Sequence, residues 1–458
     1  MMASSPPPTS RLARGRQMTA LAANHVVRDV GWRVSTVGKS ADEKNRAREK
    51  SMMLLANQLT HVLGGMKGAA MKVGQMLSVI ELPFLPEEGR AEFQAKLAVL
   101  RDSAPDVGYD TMRKAIEREL GRPIPEVFES FDQEAVAAAS IGQVYRGRLH
   151  DGRDVAVKIK YPSIDDAVRA DIKNLVAFLK FWRSLVPTLA SREFLAELRS
   201  TLANELDYAA EARNQARMAD AYAGHPFIVV PQVVREISTG NMLVTEWFDG
   251  EPLDPARSML AAERNRLGEI LYRFYVGTIY REGEFCGDPH PGNVLVGSGG
   301  RVGFVDFGAY KRMDRDARDF ETRLWRAGVA RRGDEIRALA VARGVIDEDA
   351  PITEEDCLRF TLDAFHWQMT DEEIAMTHRR ASGVMSVIDP QSETFGDVRR
   401  QTLPPEHLVS RRVDMATAGM LAQLEAKANW CRIASEWLAG AEPATELGRQ
   451  EQRWREAR

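Results

Sequence analysis

Asp288, Asn293 and the triplet Asp306-Phe307-Gly308 constrain this chain most: the first two are spaced D-x4-N, and D-F-G begins thirteen positions after the asparagine. The carboxylate and amide oxygens of this set are hard donors, which beside a triphosphate suit magnesium better than zinc. Val294-Leu295-Val296 and Val302-Gly303-Phe304-Val305 flank a Gly-Ser-Gly-Gly turn at 297–300, so the intervening segment reads as a hairpin of two apolar strands. Such a hairpin sets Asn293 and Asp306 side by side. Either motif alone is common, as a D-F-G can be a strand end before a turn; their order and the hairpin uniting them give the set its meaning.

The ordered set is that of the protein-kinase-like fold. Asp288 is then expected to accept the proton of an attacking hydroxyl, while Asn293 and Asp306 hold Mg2+ ions bridging the phosphates of ATP. Upstream, Asp154 to Lys160 reads as a strand. Alternation puts Val155, Val157 and Ile159 on one face and Ala156, Lys158 and Lys160 on the other. In a kinase-like N-lobe, Ala156 and Lys158 would roof the nucleotide, the lysine on its phosphates. Glu193 to Ala221 is expected to form one long helix bearing Glu205, Asp207 and Glu211, any of which could pair with Lys158.

A chain of 458 residues, 44% hydrophobic, can fill substantial cores in two or three domains. A formal net charge of −4 gives no global nucleic-acid footprint, so nucleic acid is not an expected partner. The three cysteines, Cys286, Cys357 and Cys431, form no C-x-x-C pair, which points away from disulfides and zinc and toward a reducing compartment. No apolar run is long enough to span a bilayer; the run from Leu175 to Ala190 is broken by Lys180 and Arg183. A cytoplasmic protein, at most peripheral to a membrane, is expected. The first 28 residues contain four arginines and no acid, the chemistry of a disordered basic arm and equally of a mitochondrial targeting segment, which stays open.

Along the chain, the pattern divides into a basic arm (1–41), a helical extension (42–122), a sheet-bearing lobe (123–250), a helical lobe (251–441) and a charged tail (442–458). The fold class is therefore α+β and bilobal, with an antiparallel-sheet N-lobe and a helical C-lobe. Thr111 to Leu120 reads as a helix closed by Gly121 and Pro123, and Ser140 to Leu149 as a strand turning at Asp151-Gly152 into the next. Ile228 to Val234 and Met242 to Trp247 read as two further strands, and Phe248 to Pro252 as the linker between lobes. The backbone of Glu246, Trp247 and Phe248 is then expected to meet the adenine edge.

Several stretches together resemble the UbiB/AarF atypical kinase-like family: Lys72-Val73-Gly74-Gln75, Ala137-Ala138-Ala139-Ser140-Ile141-Gly142-Gln143-Val144, Glu205-Leu206-Asp207 and Asp288-Pro289-His290-Pro291-Gly292-Asn293. The resemblance covers roughly residues 50 to 310. It implies that Lys72, Gly74 and Gln75, on the helical extension, lie over the active site near Glu205 and Asp207, and that Glu211 is the partner of Lys158. It also implies that Ala137, Ala138, Ala139 and Ser140 replace a glycine-rich nucleotide loop. Three Cβ methyls restrict the close backbone approach that glycine permits, so the nucleotide should sit differently from its place in ordinary protein kinases. The family connection is to ubiquinone and related isoprenoid lipids, with ATP and its product ADP as nucleotides and ATP hydrolysis more evident than protein phosphorylation.

Two departures stand out. Cys286 occupies the position two before the aspartate where the family usually has histidine, which should loosen support of Phe307. The tail from Glu442 is charged, where membrane-anchored relatives carry a hydrophobic hairpin, so any membrane contact should be peripheral. Two other functions compete: an aminoglycoside- or choline-kinase-like phosphotransferase, whose loop Gly287-Asp288 with His290 and Asn293 also resembles, and a nucleotide-gated lipid-binding protein. His290 itself reads as a loop-packing residue and His225, before Pro226, as a turn.

Overall fold

The computed structural model describes Gln58 and residues 107–181, 192–254, 259–381 and 404–458. Lys72, Gly74, Gln75 and nearly all of the expected arm and extension lie outside them. In chain order the elements are α1 (Tyr109–Leu120), β1 (Phe128–Phe131), β2 (Ala137–Ala139), β3 (Gly142–Leu149), β4 (Asp154–Lys160), α2 (Ile164–Phe181), α3 (Arg192–Glu205) and α4 (Tyr208–Ala221). There follow β5 (Ile228–Val229), β6 (Met242–Glu246), β7 (Gly250–Pro252), α5 (Ala261–Tyr272), α6 (Thr278–Glu282), β8 (Glu284–Cys286), β9 (Val294–Gly297), β10 (Val302–Phe304) and β11 (Tyr310–Arg312). The chain continues through α7 (Arg315–Val329), α8 (Gly333–Ala342), α9 (Glu354–Met369), β12 (Ile374–Ala375), α10 (Pro405–Gln423), β13 (Lys427–Ala428), α11 (Trp430–Leu438) and α12 (Glu446–Glu456).

The chain divides into two compact units, one holding Ala138–Gly142 and Tyr161–Leu202, the other Gly108–Ala137, Gln143–Lys160 and Ala203–Arg458. Within the first, the acids Asp165 and Asp166 occupy the opening turn of α2, where they complement the helix dipole. Within the second, an N-lobe sheet runs in the order β1-β3-β4-β6, with β1 on β3 and β4 on β6 antiparallel. Period-two alternation explains β4: Val155, Val157 and Ile159 are buried, while Ala156 and Lys158 lie half-buried on the opposite face. Gly121, in the left-handed conformation at φ 69°, closes α1 where the sequence places its end.

The C-lobe sheet is ordered β5-β10-β9-β7. Its β9–β10 hairpin is the one the sequence predicts, pairing Val296 with Val302 and Val294 with Phe304 around a turn whose Gly299 and Gly300 both have positive φ. Helices α5, α6, α10 and α11 enclose a core of large side chains, among them Tyr272, Phe274, Phe304 and Trp430. Phe274 stacks on Phe304 with ring centroids 3.6 Å apart, fixing the hairpin to the helices.

Three sequence expectations are corrected. The long helix from Glu193 is broken after Glu205, because Asp207 caps a new helix by accepting from the Ala210 amide at 2.9 Å. The expected strand from Ile228 to Val234 shrinks to β5, which pairs parallel with β10; Pro231 has no N–H to donate and its carbonyl is taken by Gln215 Nε2 at 2.9 Å. The expected linker contains β7, paired with β9 from Gly250↔Gly297 to Pro252↔Leu295. The charged tail carries α12, which docks through Glu451, 1% exposed.

Glu451 accepts from Arg273 Nη1 at 3.0 Å and Arg281 Nη1 at 2.5 Å, and lies 3.8 Å from His225 Nε2. His225 is thus more than a turn residue: it is buried, and its Nδ1 also accepts from the Phe227 and Ile228 amides. Arg273, at the start of a π-helical stretch from Arg273 to Gly277, further binds Glu269 and Glu436. Burial alone would raise the Glu451 pKa, but Arg281, His225 and Arg273 outweigh it and hold the carboxyl well below the usual range. Asp414 on α10 is the opposite case: burial pushes it up to about 7, Arg411 counters only in part, and its Oδ1 has no hydrogen-bond partner among the described residues.

The two carboxyls should therefore respond to pH with opposite sign. Glu451, with a depressed folded pKa, stabilises the fold above the unfolded carboxylate pKa and loses that contribution as pH falls. Asp414, with a raised one, favours the fold at acid pH and loses that contribution as pH rises through about 7. We expect Glu451→Gln to cost about 3 kcal/mol in urea unfolding at neutral pH, and Asp414→Asn to stabilise by on the order of 2 kcal/mol at pH 8 and by little at pH 4. Equal effects of Asp414→Asn at both pH values would refute the assignment.

Candidate active site

The site begins at β4. Lys158 projects from its half-buried face and donates to Glu211 Oε1 of α4 at 2.7 Å, with Asp306 Oδ2 at 3.7 Å from the same nitrogen. Of the three carboxylates the sequence leaves open, Glu211 is the partner. Glu211 is only 3% exposed, and burial pushes its carboxyl up to about 7 despite the neighbouring ammonium. Burial also works against the charge on Lys158, but Glu211 and Asp306 outweigh it and hold the lysine well above its ordinary value. The ammonium therefore keeps its proton, and two carboxylates share one positive charge.

The β9–β10 register carries Asp306 to this lysine. Val305 N donates to Asn293 O at 3.2 Å, extending the hairpin by one rung and aligning the residue after β10 with the residue before β9. Asn293 Nδ2 donates to the Asp288 carbonyl at 3.2 Å, so the asparagine also ties down the loop bearing Asp288. Asp306 Oδ1 accepts from Gly308 N at 3.0 Å, a local turn that orients the carboxylate. Phe307 is fully buried, edge-on to Phe274, and its carbonyl accepts from Asn214 Nδ2 at 3.3 Å. Cys286 Sγ lies 3.4 Å from the Asp306 carbonyl, so the smaller residue still braces the strand end and Phe307 remains packed. His290 has the expected loop role, its Nδ1 accepting from Gly292 N at 3.0 Å.

Around Gly308 the acids converge. A Cβ at that glycine would lie 3.5 Å from Asp306 Oδ1, 3.8 Å from Glu205 Oε1 and 4.0 Å from Glu211 Oε2. Glu205 thus faces the D-F-G glycine, whereas Asp207 is exposed and used as the cap of α4. Among the described residues, no group of three or more His, Cys, Asp or Glu is arranged as a complete metal cage. Asn293 and Asp306 offer two hard oxygen donors, which suits an ion that retains water and phosphate ligands. Ala137 to Ala139 form β2, with Ala137 and Ala138 exposed and Ala139 and Ser140 half-buried, so the alanine-rich run is a strand edge and turn rather than a loop of glycine-like freedom.

The expected adenine edge is narrowed by geometry. Glu246 N already donates to Gln232 O at 2.8 Å and Trp247 N to Asp154 O at 2.9 Å, so neither of these two amides is open to another acceptor. The Phe248 ring sits in a cradle of three glycines: a Cβ would come within 2.5 Å of it at Gly303, 2.6 Å at Gly297 and 2.7 Å at Gly250. Sequence reading missed this seat, as it did Asn214, Lys160 and Tyr208. Tyr208 is signalled only by its place after the acidic motif; Lys158 Nζ and Lys160 Nζ lie 5.0 and 5.3 Å from its ring centroid. Gly303→Ala should displace Phe248 and cost about 2 kcal/mol in thermal or urea unfolding. Phe248→Leu in the same chain should recover part of it; an unchanged stability in Gly303→Ala would show that the seat is loose.

Similarity to known proteins agrees with this geometry. The ABC1 atypical kinase-like domain matches residues 99–340. The chain is 33% identical over 285 residues to the rat mitochondrial atypical kinase COQ8B, covering 62% of this chain and 53% of that protein. It is 32% identical over 291 residues to the chloroplastic Activity of bc1 complex kinase 8 of Arabidopsis thaliana, covering 62% and 37%. The match to the Xenopus laevis AarF domain-containing protein kinase 1 is 28% identical over 330 residues, covering 70% of this chain and 62% of that one. The chain thus spans roughly a third to three fifths of the length of these relatives. Among solved structures, the Mycobacterium tuberculosis Rv3197–erythromycin complex aligns with a TM-score of 0.62 at 30% identity, covering 86% of this chain and 98% of that one. With its kinase-like sheet and helical lobes and the lysine, glutamate and D-F-G aspartate in contact, the chain belongs to the UbiB/AarF family of ABC1 atypical kinase-like proteins.

Proposed function

We propose that this protein is an ATPase or phosphotransferase that uses Mg-ATP and serves ubiquinone or related isoprenoid-lipid metabolism. The observation that carries the reading is the contact of Lys158 with both Glu211 and Asp306, at 2.7 and 3.7 Å, beside the hairpin that aligns Asn293. Lys158 would neutralise phosphate oxygens, and Glu211 would hold the lysine extended toward them. Asn293 and Asp306 would bind Mg2+, which when present neutralises charge on the phosphates. Asp288 would take the proton from water or an acceptor hydroxyl as its oxygen bonds to the terminal phosphorus and the bond to the ADP oxygen breaks. The backbone around Phe248 would meet the adenine, and Ala137 to Ser140 would lie over the phosphates.

The lipid substrate class rests on the family resemblance. A small-molecule rather than protein substrate is supported by the erythromycin complex of the mycobacterial relative, in which a member of this fold takes a bulky small molecule. By the same resemblance Lys72, Gly74 and Gln75 would lie over the site. Among the described residues no helix is long and apolar enough to cross a membrane, so contact with a lipid substrate is proposed at the membrane surface. The runner-up, an aminoglycoside- or choline-kinase-like enzyme, shares the Asp288 loop but lacks the motif that begins at Lys72.

Purified protein should hydrolyse ATP only with Mg2+, and anionic phospholipid vesicles or a phenolic quinone-precursor mimic should raise the rate. Asp306→Asn should lower turnover by about a hundredfold or more. Undiminished hydrolysis in that variant would remove the reading; stimulation by aminoglycosides or choline with none by lipid would favour the runner-up.

A further inference from the structure

We propose that Lys160 is a positioning residue that sets the direction of Glu205 by clamping the turn Glu205-Leu206-Asp207. The proposal rests on reading the adjoining Lys158 site as a nucleotide site. In an uninterrupted helix the Leu206 carbonyl would accept from the Ala210 amide four residues on. Here that bond is absent and a side chain replaces each half of it: Lys160 Nζ donates to Leu206 O at 2.5 Å, and Asp207 Oδ1 accepts from Ala210 N at 2.9 Å. The turn between them is tight, with Leu206 N on Ala203 O and Asp207 N on Asn204 O, both at 3.1 Å.

Lys160 is itself held from several sides. It is 5% exposed, donates to Asn241 Oδ1 at 3.1 Å and shares the Tyr208 ring with Lys158. Asn241 Nδ2 in turn donates to Glu119 Oε1 at 3.0 Å, linking the clamp to α1. Burying an ammonium is costly, and replacing a buried charge by an apolar side chain of similar size is often neutral or favourable for stability. What the ammonium supplies here is a fixed break in the helix. Were α3 and α4 continuous, Glu205 and Glu211 would be six residues apart on one cylinder, about 120° from facing the same way. With the break, both carboxylates reach the D-F-G glycine, at 3.8 and 4.0 Å from its Cβ position.

The test is amide hydrogen exchange across residues 205–211 in nucleotide-free protein, read beside steady-state kinetics. Lys160→Met should speed exchange of the Asp207 to Glu211 amides about tenfold or more and raise KM for Mg-ATP about tenfold with a smaller change in kcat. Lys160→Arg, which keeps a donor and the charge, should recover most of both. Should Lys160→Met fail to fold, Asp207→Ala removes the other half of the replacement and should accelerate the same amides. Wild-type exchange in a folded Lys160→Met protein, or no recovery with Lys160→Arg, overturns the proposal. Accelerated exchange with Arg recovery supports the clamp even if the wild type turns over no ATP, an outcome that would sink the nucleotide reading alone.

Discussion

The ion pair between Lys158 and Glu211 is the contact on which the rest of the site depends. It joins strand β4 to helix α4 at 2.7 Å, and the same ammonium reaches Asp306 from the C-lobe hairpin at 3.7 Å. Three segments distant in sequence are thereby fixed to one nitrogen. The balance is electrostatic: burial works against both charges, and the carboxyls of Glu211 and Asp306 outweigh it on Lys158, whereas on Glu211 burial prevails over the ammonium and lifts the carboxyl to about 7. On the function proposed above, phosphate oxygens would take the place of carboxylate oxygens around the lysine and keep it in charge-assisted contacts.

Much of this was legible from residue order. The hairpin between Asn293 and Asp306 follows from two apolar runs and a glycine turn, and it forms with Val296 opposite Val302 and Val294 opposite Phe304. The face of β4 bearing Lys158 follows from alternation. The choice of Glu211 over Glu205 and Asp207 was not available from periodicity alone, because the helix bearing them is interrupted by the Asp207 cap together with a contact from elsewhere. An interruption made by Lys160, forty-six residues upstream of Leu206, leaves no local mark in the sequence. Asp207 is a good capping residue, but aspartate within a helical pattern is equally a solvated acid until the structure shows which amide it takes.

The packing of the C-terminal residues is hidden for a related reason. Charge in the last segment gives no sign of burial, yet Glu451 is held by Arg273 and Arg281, which stand on the π-helical stretch and on α6. Opposite charges far apart in sequence cancel only in the fold, so composition counts each as surface. The Phe248 seat is likewise invisible beforehand: Gly250, Gly297 and Gly303 look like turn and strand interruptions until a ring is found against all three. Both features anchor the C-lobe framework that carries Asp288, Asn293 and Asp306.

The most direct test is a crystal structure with Mg2+ and a non-hydrolysable ATP analogue bound. A metal ion held by Asn293 and Asp306 oxygens, with Lys158 still on Glu211 and in contact with a phosphate, is the expected result. A nucleotide bound elsewhere, or a lysine turned away from the phosphates with the Glu211 pair broken, would contradict the central claim.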